Sequence, residues 1–177
     1  MQQNGKPGQE FEAKQYTLSM LVRNHAGVLS HIAGLFTRRG YNIESITAGV
    51  TEKPDITRIT IVVTGDHKIV EQVLKQCQKL VDVITVTSLK YNESVTRELA
   101  IIVVQACQKT RSQIIEIADV FNAKVVDMSE EAIMLEVTGN TRHINSVIAL
   151  LSPFGIEEMA RTGVVALKYR SQIPVID

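Results

Sequence analysis

The residues best suited to chemistry lie in two short runs, Asn24-His25-Ala26-Gly27-Val28-Leu29 and Gly40-Tyr41-Asn42-Ile43-Glu44-Ser45. In the first, Gly27 lets another group come close to the backbone, and the free N–H groups of a helix starting there favour a carboxylate. The second places an amide, Asn42, beside a branched apolar side chain, Ile43. These groups suit a ligand with an acid, an amine and an aliphatic tail. A branched-chain amino acid has all three.

Both runs fall where secondary structure changes. Tyr16 to Val22 alternates apolar and polar residues rich in β-formers and reads as a strand. Val28, Leu29, Ile32, Leu35 and Phe36 form one helical stripe, and Arg38-Arg39-Gly40 closes that helix with basic residues at its negative end and a C-terminal glycine. Asn42-Ile43 then opens a second strand. A third strand spans 57–63, a second helix begins near Asp66, after a Gly65-Asp66-His67 N-cap, and a fourth strand spans 81–89. This is the β-α-β-β-α-β order of a ferredoxin-like domain.

The second half repeats the pattern: a strand at 99–104, a helix marked by Ile114, Ile115, Ala118 and Phe121, and strands at 124–128 and 132–137. A helix marked by Ile144, Val147, Ile148 and Leu151 ends at Pro153, and a final strand spans 163–169. The expected fold class is α+β, with two tandem ferredoxin-like domains. The boundaries are a polar tail at 1–15, a first domain at 16–90, a polar linker at 91–97 and a second domain at 98–172. Leu99 to Val104 is apolar at every position, which predicts a strand buried on both faces. Domains of ~75 residues bury only about 60–65% of their chain surface, so docking of sheets between copies, and hence a homodimer, is expected.

Composition excludes several classes. The 177 residues carry no net charge, so no electrostatic footprint for nucleic acid or an anionic membrane is present. No apolar run reaches the roughly 18 residues of a membrane span, and Met1 to Gln15 holds no signal-peptide core, which points to a cytoplasmic protein. Cys77 and Cys107 lack CxxC spacing and read as structural thiols buried like small hydrophobes. His25 reads as a solvated loop side chain. Asp55, Asp66, Asp127, Glu130 and Glu131 sit at turns or strand ends as solvated acids rather than an acid/base pair. GxGxxG, GxSxG and phosphate-loop signatures are absent, as is the Gly-Asp-Gly signature of thiamine enzymes.

The run Arg23 to Leu29, with Gly34-Leu35-Phe36, Arg39 to Ser45 and Leu80-Val81-Asp82-Val83, resembles the regulatory small subunit of acetolactate synthase (acetohydroxyacid synthase). The resemblance extends through Glu98-Leu99-Ala100 and Arg161 to Leu167, and the N-terminal half is similar to an ACT domain. It implies a regulatory, non-catalytic chain that pairs through its ACT domains. Its partner would be a large catalytic subunit holding thiamine diphosphate, magnesium and FAD, with no cofactor or metal in this chain. The implied function is activation of that subunit and feedback inhibition by valine, leucine or isoleucine, valine foremost.

The resemblance places the effector on Asn24, Ala26, Gly27, Val28 and Leu29 of one protomer and Asn42 and Ile43 of the other. Backbone N–H groups of Gly27, Val28 and Leu29 would meet the carboxylate. Asn24 would fix the loop or hold the ammonium, and Asn42-Ile43 would close the pocket. On periodicity alone, Val28, Leu29 and Ile43 read as core. Two rivals come from other classes. A transcription-controlling amino-acid sensor would need a basic helix or helix-turn-helix that the chain lacks. A metal module would use His143 or His67 with acids of the second half.

Overall fold

The computed structural model describes residues 14–170, apart from the side chain of Ile69. The polar-tail expectation therefore lies outside the described residues, except for Lys14 and Gln15, which open the first strand.

In the first domain β1 (Lys14–Arg23), α1 (Val28–Arg39), β2 (Ile43–Val50), β3 (Ile56–Gly65), α2 (His67–Cys77) and β4 (Val83–Leu89) follow in order. The sheet order is β2-β3-β1-β4, all antiparallel. Alternation in β1 turns Leu18, Met20 and Val22 onto the helices, where Ile32, Leu35 and Phe36 of α1 meet Val70, Val73 and Cys77 of α2. The Phe36 ring meets Tyr41 edge-on at 6.2 Å. Gly40, at φ 67°, ends α1 as its sequence requires, with the Gly40 N–H donating to Thr37 O at 3.1 Å and the Tyr41 N–H to Phe36 O at 3.0 Å. Val81 is 86% exposed in a turn, so β4 begins two residues later than its apolar pattern predicts.

The second domain comprises β5 (Ser94–Gln105), α3 (Arg111–Val120), β6 (Lys124–Met128), β7 (Ala132–Gly139), α4 (Thr141–Leu151), β8 (Ile156–Arg161) and β9 (Val165–Lys168). Its sheet runs β6-β7-β5-β8, and β9 pairs separately with Ser94 to Arg97 of β5. β8 escaped the sequence reading because Ile156-Glu157-Glu158-Met159-Ala160-Arg161 is an edge strand with little buried surface.

Residues 91–97 are not a free polar linker. Tyr91–Glu93 forms a 3-10 turn and 94–97 are strand, tied down by β9 and by the buried side chain of Ser94. The strand at 99–104 is not buried on both faces either. Ala100, Ile102 and Val104 are fully buried beneath α3 and α4, whereas Ile101, on the opposite face, is 38% exposed in the single chain. A small third cluster, Val62, Val164 and Ala166 with Leu89, joins the two domains. β9 touches both β1 and β4 there.

Candidate effector-binding site

The loop between β1 and α1 is held at several points. Asn24 N–H donates to Asp55 O and its Nδ2 to Pro54 O, both at 2.8 Å, so the turn between β2 and β3 carries the loop. Its side-chain oxygen has no partner among the described residues. Gly27 sits at φ 90°, a left-handed conformation that glycine adopts without penalty, and caps α1 with no side chain of its own. The His31 N–H donates to Gly27 O at 3.0 Å and closes the first turn. The Val28 N–H reaches only the His25 carbonyl, at 3.5 Å, while the N–H groups of Leu29 and Ser30 have no backbone acceptor among the described residues. The result is an exposed helix start with unused donors and no acidic residue in its first turn.

The expected site residues separate into two groups. Asn24, Ala26 and Gly27 are exposed, and Leu29 is 43% exposed, so it is not core despite its place on the apolar stripe. Val28 is core, at 7% exposure, and offers only its backbone. Asn42 is exposed, with Nδ2 donating to Glu44 Oε1 at 2.8 Å, and Ile43 packs half-buried against the first core. One chain does not unite them. Gly27 precedes α1 and Asn42 follows it, and a helix of 12 residues separates its ends by roughly 18 Å.

His25 is more than a solvated loop residue. Its Nε2 lies 2.7 Å from Asp82 Oδ1 and its Nδ1 2.9 Å from Ala26 O, while Asp82 Oδ2 also faces His31 Nδ1 at 3.4 Å. The Ala26 carbonyl first, and then the Asp82 carboxylate, raise the His25 pKa above 6.5. The hydrogen bond from His25 leads the causes that lower Asp82, with His31 contributing less. Asp82 lies in the run Leu80-Val81-Asp82-Val83, but its partner stands 57 positions away and only the β1–β4 pairing joins them.

The remaining polar features are structural. Glu98, 6% exposed, accepts from Arg161 Nε at 2.6 Å and from the Thr141 hydroxyl, and Arg161 Nη1 donates to Asn145 Oδ1 at 2.8 Å. This network borders a cleft between the domains with two cavities of about 650 and 470 Å³, which share Gln15, Val62, Thr141 and Val164. His143 is packed against Phe121 with Nε2 3.1 Å from the Phe121 carbonyl, and the described residues contain no His/Cys/Asp/Glu cluster able to hold a metal. Burial pushes the Cys77 thiol up to about 11. Cys107 is exposed, contrary to the reading of two buried thiols, because it lies in the loop before α3, where the Thr110 hydroxyl lowers its pKa. No described helix is long and apolar enough to cross a membrane.

The profile described as AHAS small subunit-like ACT domain matches residues 18–85, and that described as small subunit of acetolactate synthase matches 97–170. The chain is 47% identical to a probable acetolactate synthase small subunit of Archaeoglobus fulgidus over 86% of its own length and 96% of that protein. It is 46% identical to the acetolactate synthase small subunit of Mycobacterium bovis over 87% of this chain and 92% of that protein. The crystal structure of the small subunit from Thermotoga maritima superposes with a TM-score of 0.83 at 39% identity, covering 89% of this chain and 99% of that one. Two profiles in tandem, one on each domain, and full-length relatives show that the chain belongs to the acetolactate synthase small-subunit family, with an ACT domain as its N-terminal half.

Proposed function

We propose that the chain is a non-catalytic regulatory subunit that binds a large catalytic subunit, raises its activity and makes it sensitive to branched-chain amino acids, valine foremost. The large subunit carries thiamine diphosphate, magnesium and FAD and condenses pyruvate with a second 2-keto acid. The observation behind this reading is the loop at Gly27: an exposed glycine in the left-handed conformation, and, among the described residues, helix N–H donors without a backbone acceptor and an Asn24 held through its Nδ2 whose oxygen has no partner. A carboxylate on those donors and an ammonium near Asn24 accommodate an α-amino acid, with Leu29 beside its tail.

The separation of the two half-sites gives the homodimer its purpose. A two-fold axis that sets two α1 helices side by side and antiparallel brings Asn24 to Leu29 of one copy against Asn42 and Ile43 of the other. β2 is an edge strand of its sheet and is available for such side-by-side pairing. An effector at that seam acts on the catalytic subunit only through its unequal affinity for two states of the dimer.

The test is reconstitution with the large subunit. Acetolactate formation should rise when this chain is added and fall with increasing valine, the chain alone should form none, and sedimentation should find a dimer or larger species at micromolar concentration. A catalytic subunit whose rate and valine response do not change on adding this chain refutes the reading.

A further inference from the structure

We propose that a proton on His25 strengthens effector binding at this loop by neutralising Asp82, and that His31, on the other Asp82 oxygen, helps to position that carboxylate. The inference rests on the effector-site reading and adds to it a residue and a proton.

Geometry favours the protonated ring. The Nδ1 of His25 faces the Ala26 carbonyl at 2.9 Å and the Nε2 faces the Asp82 carboxylate at 2.7 Å, and both partners only accept. A neutral imidazole has one N–H and would set a lone pair against one of these oxygens, whereas the imidazolium satisfies both. The raised pKa of His25 agrees with this.

Location gives the charge a role. His25 stands two residues before Gly27, at the start of the helix that is to receive a carboxylate. Asp82 is carried to the same place by the turn before β4 and anchored by the Arg23 N–H, which donates to Asp82 O at 2.9 Å. Alone, that carboxylate would oppose a second anion at the loop. Paired with imidazolium it is neutralised, and the positive end of α1 prevails. His31, on the first turn of α1, faces the other Asp82 oxygen at 3.4 Å, and Arg23, at the end of β1, opposes the extra proton on His25. The Ala26 carbonyl held by the same ring belongs to the loop, so loss of the proton also frees one loop contact.

Both consequences have the same sign. The effector binds best below the His25 titration, weakens as pH rises through it, and takes up a fraction of a proton when bound near it. Calorimetry of valine binding to the full chain at about pH 6 and about pH 8.5 reads this directly, with affinity roughly two- to five-fold weaker at the higher pH. Near the midpoint, the apparent heat should vary with buffer ionisation enthalpy in the direction of proton uptake. His25→Gln keeps a hydrogen-bonding side chain without the charge and should flatten the profile. Asp82→Asn should shift both the profile and the NMR midpoint of the His25 ring to lower pH, which a purely structural role for Asp82 would not do. A flat profile in the unaltered chain, or an unchanged profile in folded His25→Gln, overturns the proposal while leaving the effector site in place. Absence of binding by valine, leucine and isoleucine at both pH values overturns the effector-site reading itself.

Discussion

Gly163 lies against Thr47 at the seam between the domains: a Cβ on the glycine would stand 2.5 Å from Thr47 Oγ1 and 3.1 Å from the Ile46 carbonyl oxygen. The loop between β8 and β9 of the second domain thus rests on the backbone of β2, a strand of the first domain, and a side chain at Gly163 would crowd it. Thr47 Oγ1 and Ser45 Oγ are buried at this strand without a hydrogen-bond partner among the described residues, so the close fit depends on shape rather than polar attraction.

Gly163→Ala should therefore loosen the seam. The methyl must displace Thr47 or the β2 backbone, an overpacking that destabilises by about 1–3 kcal/mol. Denaturant unfolding with fluorescent probes on each domain should show a lower midpoint, and the larger Gly163→Val should separate the two transitions. A midpoint equal to that of the unaltered chain removes the contact from the account.

Glu98 governs the other side of the cleft. Truncation by Glu98→Ala removes the acceptor of the Arg161 Nε–H and of the Thr141 hydroxyl, at about 2–4 kcal/mol of stability. Arg161→Met combined with Glu98→Leu should recover part of that loss, because a buried pair replaced by packed apolar groups is often neutral. Chemical unfolding of the two single variants and the double variant checks this, and strictly additive losses contradict it.

Gly27→Asp should abolish or strongly weaken feedback inhibition. Added side-chain atoms meet open space at Gly27, so the variant tests charge and backbone conformation rather than packing. A carboxylate among the donors repels the effector's own, and the left-handed backbone at φ 90° disfavours any side chain by about 1–2 kcal/mol. The inhibition curve of the reconstituted complex should move by roughly tenfold or more in valine. Asn42→Ala should weaken inhibition from the other half-site, and an unchanged curve for folded, dimeric Gly27→Asp removes the loop from the site.

The two cysteines should differ in reactivity. A thiolate forms more readily at Cys107, which is exposed and supported by the Thr110 hydroxyl, than at Cys77, whose burial raises it to about 11. A thiol reagent at neutral pH should modify one thiol rapidly and the second only on unfolding. Equal rates for both thiols in the native chain contradict that assignment.

What the sequence could and could not disclose follows from local and distant causes. α1 was legible because its apolar stripe, its basic last turn and Gly40 all agree, and its observed limits, Val28–Arg39, lie at those signals. Leu29 shows the opposite case: it fits the stripe by spacing yet faces outward, since a helix edge is not distinguished from its centre by period alone. β8 carries two glutamates and little buried surface, so periodicity could not expose it, and with it went the true role of β9. For the candidate site, Asn24 and Gly27 were evident as residue types, whereas the His25–Asp82–His31 contact depends on the pairing of β1 with β4 and has no local signature.

β5 runs unbroken from Ser94 to Gln105, its first four residues paired with β9 and its remainder forming the centre of the second sheet. At ~3.4 Å per residue it extends about 40 Å without a break where the domains meet. β9 cannot creep along it, because a slip of one residue would exchange buried Ala166 for Val165 or Leu167 at the first domain. The centre of the second sheet and the seam with the first domain are thus parts of one strand, and β9, paired to its first four residues, fixes where that strand meets β1 and β4.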